Sequence, residues 1–272
     1  MFLGHFAVGF AAKRLAPRTS LGTLFLAAQL VDLIWPALVL LGVERVRIDP
    51  GNTAFTPLDF VSYPWTHSLL MVALWGAALA AIHQWARRAA PAAASAVGTG
   101  PAAGTAAAAR TGSAAGITPA AGTGPAAGTG RAAPIVTRPS PAAARTAVVL
   151  AGLVLSHWLL DLLTHRPDLP LAPGAPKVGL GLWNSVPATV VVEAALFLAG
   201  VWLYATATRA RNRTGRLALW GLVALLALIY VANGVGPPPP SPTAVGMAGL
   251  LMWLFIPWAA WIDRNREPAR GG

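Results

Sequence analysis

Six stretches of about 20 mainly apolar residues make up nearly half of this chain; they run at roughly 20–42, 66–86, 146–165, 187–208, 216–235 and 243–262. Each is long enough to cross the hydrocarbon core of a bilayer, which takes about 20 helical residues. Hydrocarbon offers a backbone no hydrogen-bond partners, so an apolar segment of that length crosses it as a helix. The fifth and sixth stretches are the cleanest, since Leu217 to Val231 and Val245 to Trp261 carry no charge. Only 11% of the residues are charged, against about 25% in soluble domains, too few to cover a core in water. The expected fold class is all-α, a polytopic membrane helix bundle of about six transmembrane helices plus a short N-terminal helix. That short helix covers Met1 to Ala12, which is apolar, too short to span, and followed by Lys13-Arg14. In a secretory signal the positive charge precedes the apolar run. This segment therefore reads as a helix dipping into the bilayer against the bundle.

Lysine and arginine mark the cytoplasmic loops of membrane proteins. With the N-terminus inside, sixteen of the 20 basic residues fall on the inner side, leaving Arg45, Arg47, Arg166 and Lys177 outside. The net charge of +11 is thereby a topological signal, and no nucleic-acid partner is expected. The reading is a multi-pass protein of a bacterial-type inner membrane with both termini cytoplasmic, its basic face against lipid heads.

The chain divides into N-terminal membrane helices (1–88), a linker (89–144), a third span with its outer loop (145–186), C-terminal membrane helices (187–265) and a tail (266–272). The linker is almost wholly Ala, Gly, Thr, Ser and Pro, and repeats Thr-Gly-Pro-Ala-Ala-Gly-Thr at Thr99–Thr105 and Thr123–Thr129. Such composition buries too little surface to offset chain entropy, so a disordered cytoplasmic segment is expected. The run Gly236 to Pro242 reads as a stiff outer connector.

Against this apolar background the ionisable residues stand out. Asp32 lies in the first span, His157 and Asp161 in the third, Glu193 in the fourth; His67 opens the second, and His5 sits in the short helix. A carboxylate near mid-membrane costs about 2.5–3.5 kcal/mol even on insertion scales, so such residues mark functional sites by default. Counting 1.5 Å per residue, Asp32, His157, Asp161 and Glu193 reach similar levels in the outer half of the bilayer. His157 and Asp161 share one helix face, because residues four apart lie one above the other.

Cysteine is absent, so a transition metal must be held by nitrogen and oxygen. Imidazole and carboxylate are good ligands for zinc, with manganese as a second choice, and catalytic zinc keeps one position for water. A metal so held brings the pKa of water toward neutrality and polarises a phosphoryl or carbonyl oxygen. The metal set read here is His5, Asp32, His67, His157 and Asp161. Glu193 and Asp161 are the candidate catalytic groups, Glu193 to position or deprotonate the water. A site at that depth meets membrane lipids, and the substrate expected is lipid-like or a phosphoester.

The order of these residues also resembles a known family. Gly4-His5, then Asp32, then Thr66-His67-Ser68, then His157-x-x-x-Asp161 is similar to the membrane-bound metal-dependent hydrolases, typed by a LexA-regulated bacterial inner-membrane protein. That family is distantly similar to zinc-dependent phospholipase C and single-strand-specific zinc nucleases. The resemblance covers about residues 3–70 and 150–175, and it implies metal-dependent phosphoester hydrolysis. Family members usually read His-Arg-Gly-x-Thr-His-Ser, whereas this chain reads Ser62-Tyr63-Pro64-Trp65-Thr66-His67-Ser68. A ligand and a phosphate-binding cation are thus missing, and Arg166 is the candidate to replace the cation.

Blander readings exist for each residue. His157 with Asp161 is also what a hydrogen-bonded helix pair looks like, Asp32 a protonated packing carboxyl, His67 an interfacial cap and Glu193 an interfacial acid. His83 and His165 are read as span-end residues rather than ligands, and the tryptophans as interfacial anchors. The outer loop 165–186, with Asp168, Lys177, Gly179, Gly181 and Asn184, is a candidate substrate gate. Two other functions stay open: a cation- or proton-coupled transporter and a non-catalytic membrane scaffold. Oligomeric state is not legible.

Overall fold

A computed structural model describes residues 1–97 and 140–269, with side chains placed for 1–88 and 140–269. Most of the sequence expected as a linker lies outside the described residues. Its two margins do not: residues 89–97 continue one helix and 141–144 begin the next.

The short helix α1 (Phe2–Ala11) continues as a 3-10 turn at Ala12–Arg14 and leads to α2 (Leu21–Ala28) and α3 (Leu30–Leu40). A hairpin follows, β1 (Arg45–Ile48) against β2 (Leu58–Ser62), then the single turn α4 (Pro64–His67) and the long α5 (Leu69–Val97). Next come α6 (Pro141–Thr164), the small hairpin β3 (Leu169–Pro170) and β4 (Lys177–Val178), and α7 (Val186–Ala207). The C-terminal part is β5 (Thr208–Ala210), α8 (Arg213–Val235), α9 (Pro242–Leu250), α10 (Phe255–Arg264) and β6 (Arg266–Pro268), with β6 paired to β5.

Five helices are long and apolar enough to span a membrane: those at 69–88, 141–164, 186–207, 213–235 and 242–264, the last made of α9, a 3-10 turn and α10. The bent pair α2–α3 is long and apolar enough only when its two helices are taken together, as a broken span or a re-entrant loop. Their starts are written in the sequence. Ser140, Ser185, Asn212 and Ser241 each accept a hydrogen bond from a backbone N–H in the first turn, satisfying a donor that lipid would leave bare. Proline in the first turn of α6, α7 and α9 costs no helical hydrogen bond there.

The first expected span is not one continuous helix. It breaks at Gln29 (φ −106°, ψ 4°) and turns by 55°. Pro36 is accommodated inside α3, and the break falls about one turn before Asp32. The second span is interrupted too: Ser68 is extended (φ −72°, ψ 145°) and separates His67 on α4 from α5.

Two apolar clusters hold the bundle. Phe6 and Phe10 of α1 pack edge-on against Phe25 of α2, with ring centroids 5.1 and 4.8 Å apart, and this cluster extends to Phe197, Tyr204 and Leu222. Leu24, Val31, Val72, Leu150, Val154 and Trp158 form the second. Lipid tails are as apolar as leucine, so close backbone packing has to supply the association. Gly200 of α7 does so: a Cβ there would overlap the Ala7 carbonyl oxygen and come within 2.7 Å of the Ala7 Cα. α1 is thus a central element of the bundle.

The two ends differ. At one, Arg166 binds Asp59 at 2.5 Å and Lys177 donates to the Val61 carbonyl, tying both hairpins together. At the other, Lys13 reaches Asp263 at 2.5 Å, and Arg266 donates to the carbonyls of Thr208 and Gly215 beneath β5 and β6. The tryptophans divide as well. Trp65 and Trp261 are exposed, as anchors would be, but Trp35, Trp158 and Trp183 belong to the core; Trp158 donates its indole N–H to the Pro170 carbonyl.

Candidate metal centre

His157 sits seven residues before the end of α6, about 10 Å from it at 1.5 Å per residue, with Asp161 one turn further along. The α2–α3 break delivers Asp32 in the first turn of α3. α4 delivers His67 from the hairpin side, and α1 brings His5 from within the bundle. The break at Gln29 also turns the Ala28 carbonyl toward α6, where it meets His157 Nδ1 at 2.9 Å.

These five side chains converge. His67 Nε2 is 3.1 Å from Asp32 Oδ1 and 3.9 Å from Asp161 Oδ2. His157 Nε2 is 3.5 Å from Asp32 Oδ1 and 3.3 Å from Asp161 Oδ2. His5 Nε2 lies 3.0 Å from Asp161 Oδ1, and its ring stacks on that of His157. The Met1 amine also touches Asp161 Oδ1, at 2.7 Å. Two triads, His5–Asp32–His157 and His67–His157–Asp161, each have one ligand atom per residue within 4.8 Å of one another.

The spacing suits a zinc-sized ion. Ligands about 2.0–2.1 Å from a tetrahedral zinc stand about 3.3–3.4 Å apart. The four distances between the imidazoles of His67 and His157 and the carboxylates of Asp32 and Asp161 run from 3.1 to 3.9 Å.

Proton placement points the same way. A carbonyl can only accept, so His157 Nδ1 donates to Ala28 and Nε2 keeps its lone pair in the neutral ring. That Nε2 is buried without a hydrogen-bond partner, facing two carboxylates. A lone pair among carboxylate oxygens in a buried site is costly unless a cation sits between them, either a metal ion or a proton carried on Nε2. Three nitrogens and two carboxylates, with no thiolate, fit zinc or manganese. Asp32, whose side chain is 27% exposed, forms the open edge; His5, His157 and Asp161 are closed in.

Glu193 lies elsewhere than among those ligand atoms. Its Oε2 accepts from the Leu3 backbone N–H at 2.7 Å, and Oε1 is buried without a partner. The carboxylate holds the first turn of α1, where the helix dipole favours negative charge. It therefore anchors the element that carries His5.

His165 caps the C-terminal end of α6 and lies outside both triads. It is buried, with Nδ1 2.9 Å from Asp168 Oδ1 and 3.1 Å from the Tyr63 hydroxyl. Tyr63 donates to Asp168 at 3.1 Å; burial, reinforced by the Asp168 carboxylate, holds that hydroxyl well above its usual pKa. Arg166 is engaged with Asp59 and Asp168. The loop 165–186 is fastened to α6, because Leu180 and Gly181 donate their N–H groups to the carbonyls of Leu162 and His165.

One participant had no sequence signal. Glu44, just beyond α3, looks like an ordinary loop acid, yet it is buried and accepts from the Trp65 and Thr66 backbone N–H groups and the Thr66 hydroxyl.

The chain matches no protein-family model, no curated protein and no solved structure.

Proposed function

We propose that this protein is an integral membrane metal-dependent hydrolase that cleaves a phosphoester or related ester of a lipid-like substrate. The observation that carries the reading is His157 Nε2, a buried imidazole nitrogen with no hydrogen-bond partner, aimed at Asp32 and Asp161 with His67 alongside. The order of these residues resembles the metal-dependent hydrolase family, which supports the same class.

His67, His157, Asp32 and Asp161 would hold a divalent ion, zinc or manganese, with His5 completing the site. Such an ion supplies a water acidic enough to ionise near neutral pH and a Lewis acid for a phosphoryl or carbonyl oxygen. Ala28 and Thr66 orient the two imidazoles through their Nδ1 atoms, as outer partners of metal-binding histidines do. Asp32 borders the approach, so an ester bond would enter past it. Buried walls of α1 and α6 exclude water from the far side. The uneven distribution of basic residues supports an outside position for the hairpin end, facing the outer leaflet.

A cation- or proton-coupled transporter is the second reading. The 55° break between α2 and α3, immediately before an intramembrane carboxylate, is a feature of transporter binding sites.

Metal content of the purified protein separates them. The hydrolase reading expects stoichiometric zinc or manganese, lost in His157→Ala, and metal-dependent head-group release from phospholipid or polyprenyl-phosphate vesicles. Protein that binds no metal, or activity that survives His157→Ala, would overturn it.

A further inference from the structure

His67 is held from behind by a chain of two residues. Thr66 Oγ1 lies 2.7 Å from His67 Nδ1 and 2.6 Å from Glu44 Oε2. Glu44 Oε1 accepts two backbone donors, Trp65 N–H at 2.8 Å and Thr66 N–H at 3.0 Å. Glu44 and Thr66 are buried, so water does not compete for these bonds.

The proton order follows from the donor inventory. A carboxylate only accepts, so the single Thr66 hydroxyl proton goes to Glu44. Thr66 Oγ1 then has only lone pairs for His67, and the ring must donate from Nδ1. In the neutral ring its other nitrogen, Nε2, then carries the lone pair and faces Asp32 Oδ1 at 3.1 Å. The carboxylate thus writes the tautomer of an imidazole it never touches.

We propose that Glu44 is a positioning residue that, through the Thr66 hydroxyl, fixes His67 in the Nδ1-protonated form with Nε2 aimed at the metal centre. The proposal deepens the metal-hydrolase reading and rests on it for its consequence, though the tautomer itself does not need the metal. Glu44→Gln is a near-isosteric inversion. The two backbone donors at Oε1 demand an acceptor, so the carboxamide oxygen takes that place. Its NH2 then faces Thr66 Oγ1, the threonine proton turns toward His67 Nδ1, and the imidazole proton moves to Nε2. Thr66→Val removes the relay while keeping the shape; Thr66→Ser keeps the hydroxyl.

The experiment has two readouts on full-length protein in detergent. Zinc affinity, measured by competition with a chromogenic chelator, is expected to fall about ten- to hundredfold in Glu44→Gln and Thr66→Val, the usual effect of outer-partner loss. Thr66→Ser should stay near wild type. Nitrogen-15 histidine spectra of metal-free protein, with His67 assigned by its loss in His67→Asn, should show Nδ1–H in wild type and Nε2–H in Glu44→Gln. The same tautomer in both proteins, or unchanged affinity in both weakened variants, would overturn the proposal. Wild-type protein that binds no zinc would instead overturn the metal reading, and the tautomer comparison would still decide the role of Glu44.

Discussion

The imidazole rings of His5 and His157 lie face to face, with centroids 3.5 Å apart and planes 6° from parallel. One ring comes from the short helix α1 and the other from the spanning helix α6, so the stack places a segment too short to cross the membrane at the centre of the bundle. His5 Nε2 also lies 3.0 Å from Asp161 Oδ1, so its ring either ligates the ion or orients a ligand, and loss of such an orienting partner typically costs about ten- to hundredfold in metal affinity. Replacing His5 by alanine should therefore weaken metal binding by about ten- to hundredfold without abolishing it. Wild-type affinity in His5→Ala, measured by chelator competition, would remove His5 from the site.

The close approach of α1 to α7 at Gly200 makes a second test. A side chain there meets the Ala7 backbone, which cannot move aside as a flexible side chain does. Gly200→Val should cost about 1–3 kcal/mol through overpacking and, by pushing α1 outward, lower metal affinity as well. Gly152 on α6 has open space around it, so Gly152→Val should change neither. Thermal melting in detergent, with and without zinc, reads both effects.

How much of this was legible before the structure depends on what each residue signals. The spans were readable because lipid imposes a simple rule, long apolar helices, and the described residues obey it. His157 and Asp161 were readable as a pair because helix geometry alone puts them on one face. The break at Gln29 was not: no glycine or proline marks it, and the polar Gln29 is buried at the turn. Glu193 reads from the sequence as an acid within a span and a candidate catalytic group, but its partner is the backbone of α1, and backbone partners leave no trace in side-chain spacing. Glu44 escaped for the opposite reason, because an acid in a polar loop is ordinary until a buried turn is found beneath it.

The anchoring role of Glu193 can be told apart from proton transfer. Its Oε2 accepts from Leu3 N–H, and a carboxamide oxygen can do the same. Glu193→Gln should keep metal affinity and melting temperature close to wild type, whereas Glu193→Ala, leaving a buried N–H unpaired, should lose about 1–3 kcal/mol. If Glu193→Gln retains metal and structure but loses hydrolysis, the carboxylate has a catalytic duty beyond anchoring.

At the other end of the bundle, Lys13 meets Asp263 at 2.5 Å, and Asp263 also accepts from Tyr204 at 2.9 Å. Lys13 is buried and Asp263 partly so, and removing one partner strands the other group at a cost of about 1–3 kcal/mol. Lys13→Met should lower stability to denaturant by that order, and Lys13→Met with Asp263→Leu should recover part of the loss. Metal affinity should be unchanged in the double variant, because this pair lies at the opposite end from the histidines. A double variant no more stable than Lys13→Met would show that the pair carries specific structure that apolar packing cannot replace.

Metal linkage gives the most direct test of the centre. An ion that binds only the folded state stabilises it by about 2.7 kcal/mol at a hundred times its dissociation constant. Zinc should therefore raise the melting temperature of the wild-type protein, and a chelator should reverse the shift. His157→Ala removes the one nitrogen common to both triads and Asp161→Asn the negative charge of a ligand on the closed side of the site, and each should abolish the shift. His83→Ala, on α5 and outside both triads, should preserve it. An equal zinc shift in His157→Ala and wild type would place the bound metal somewhere other than among these histidines and aspartates.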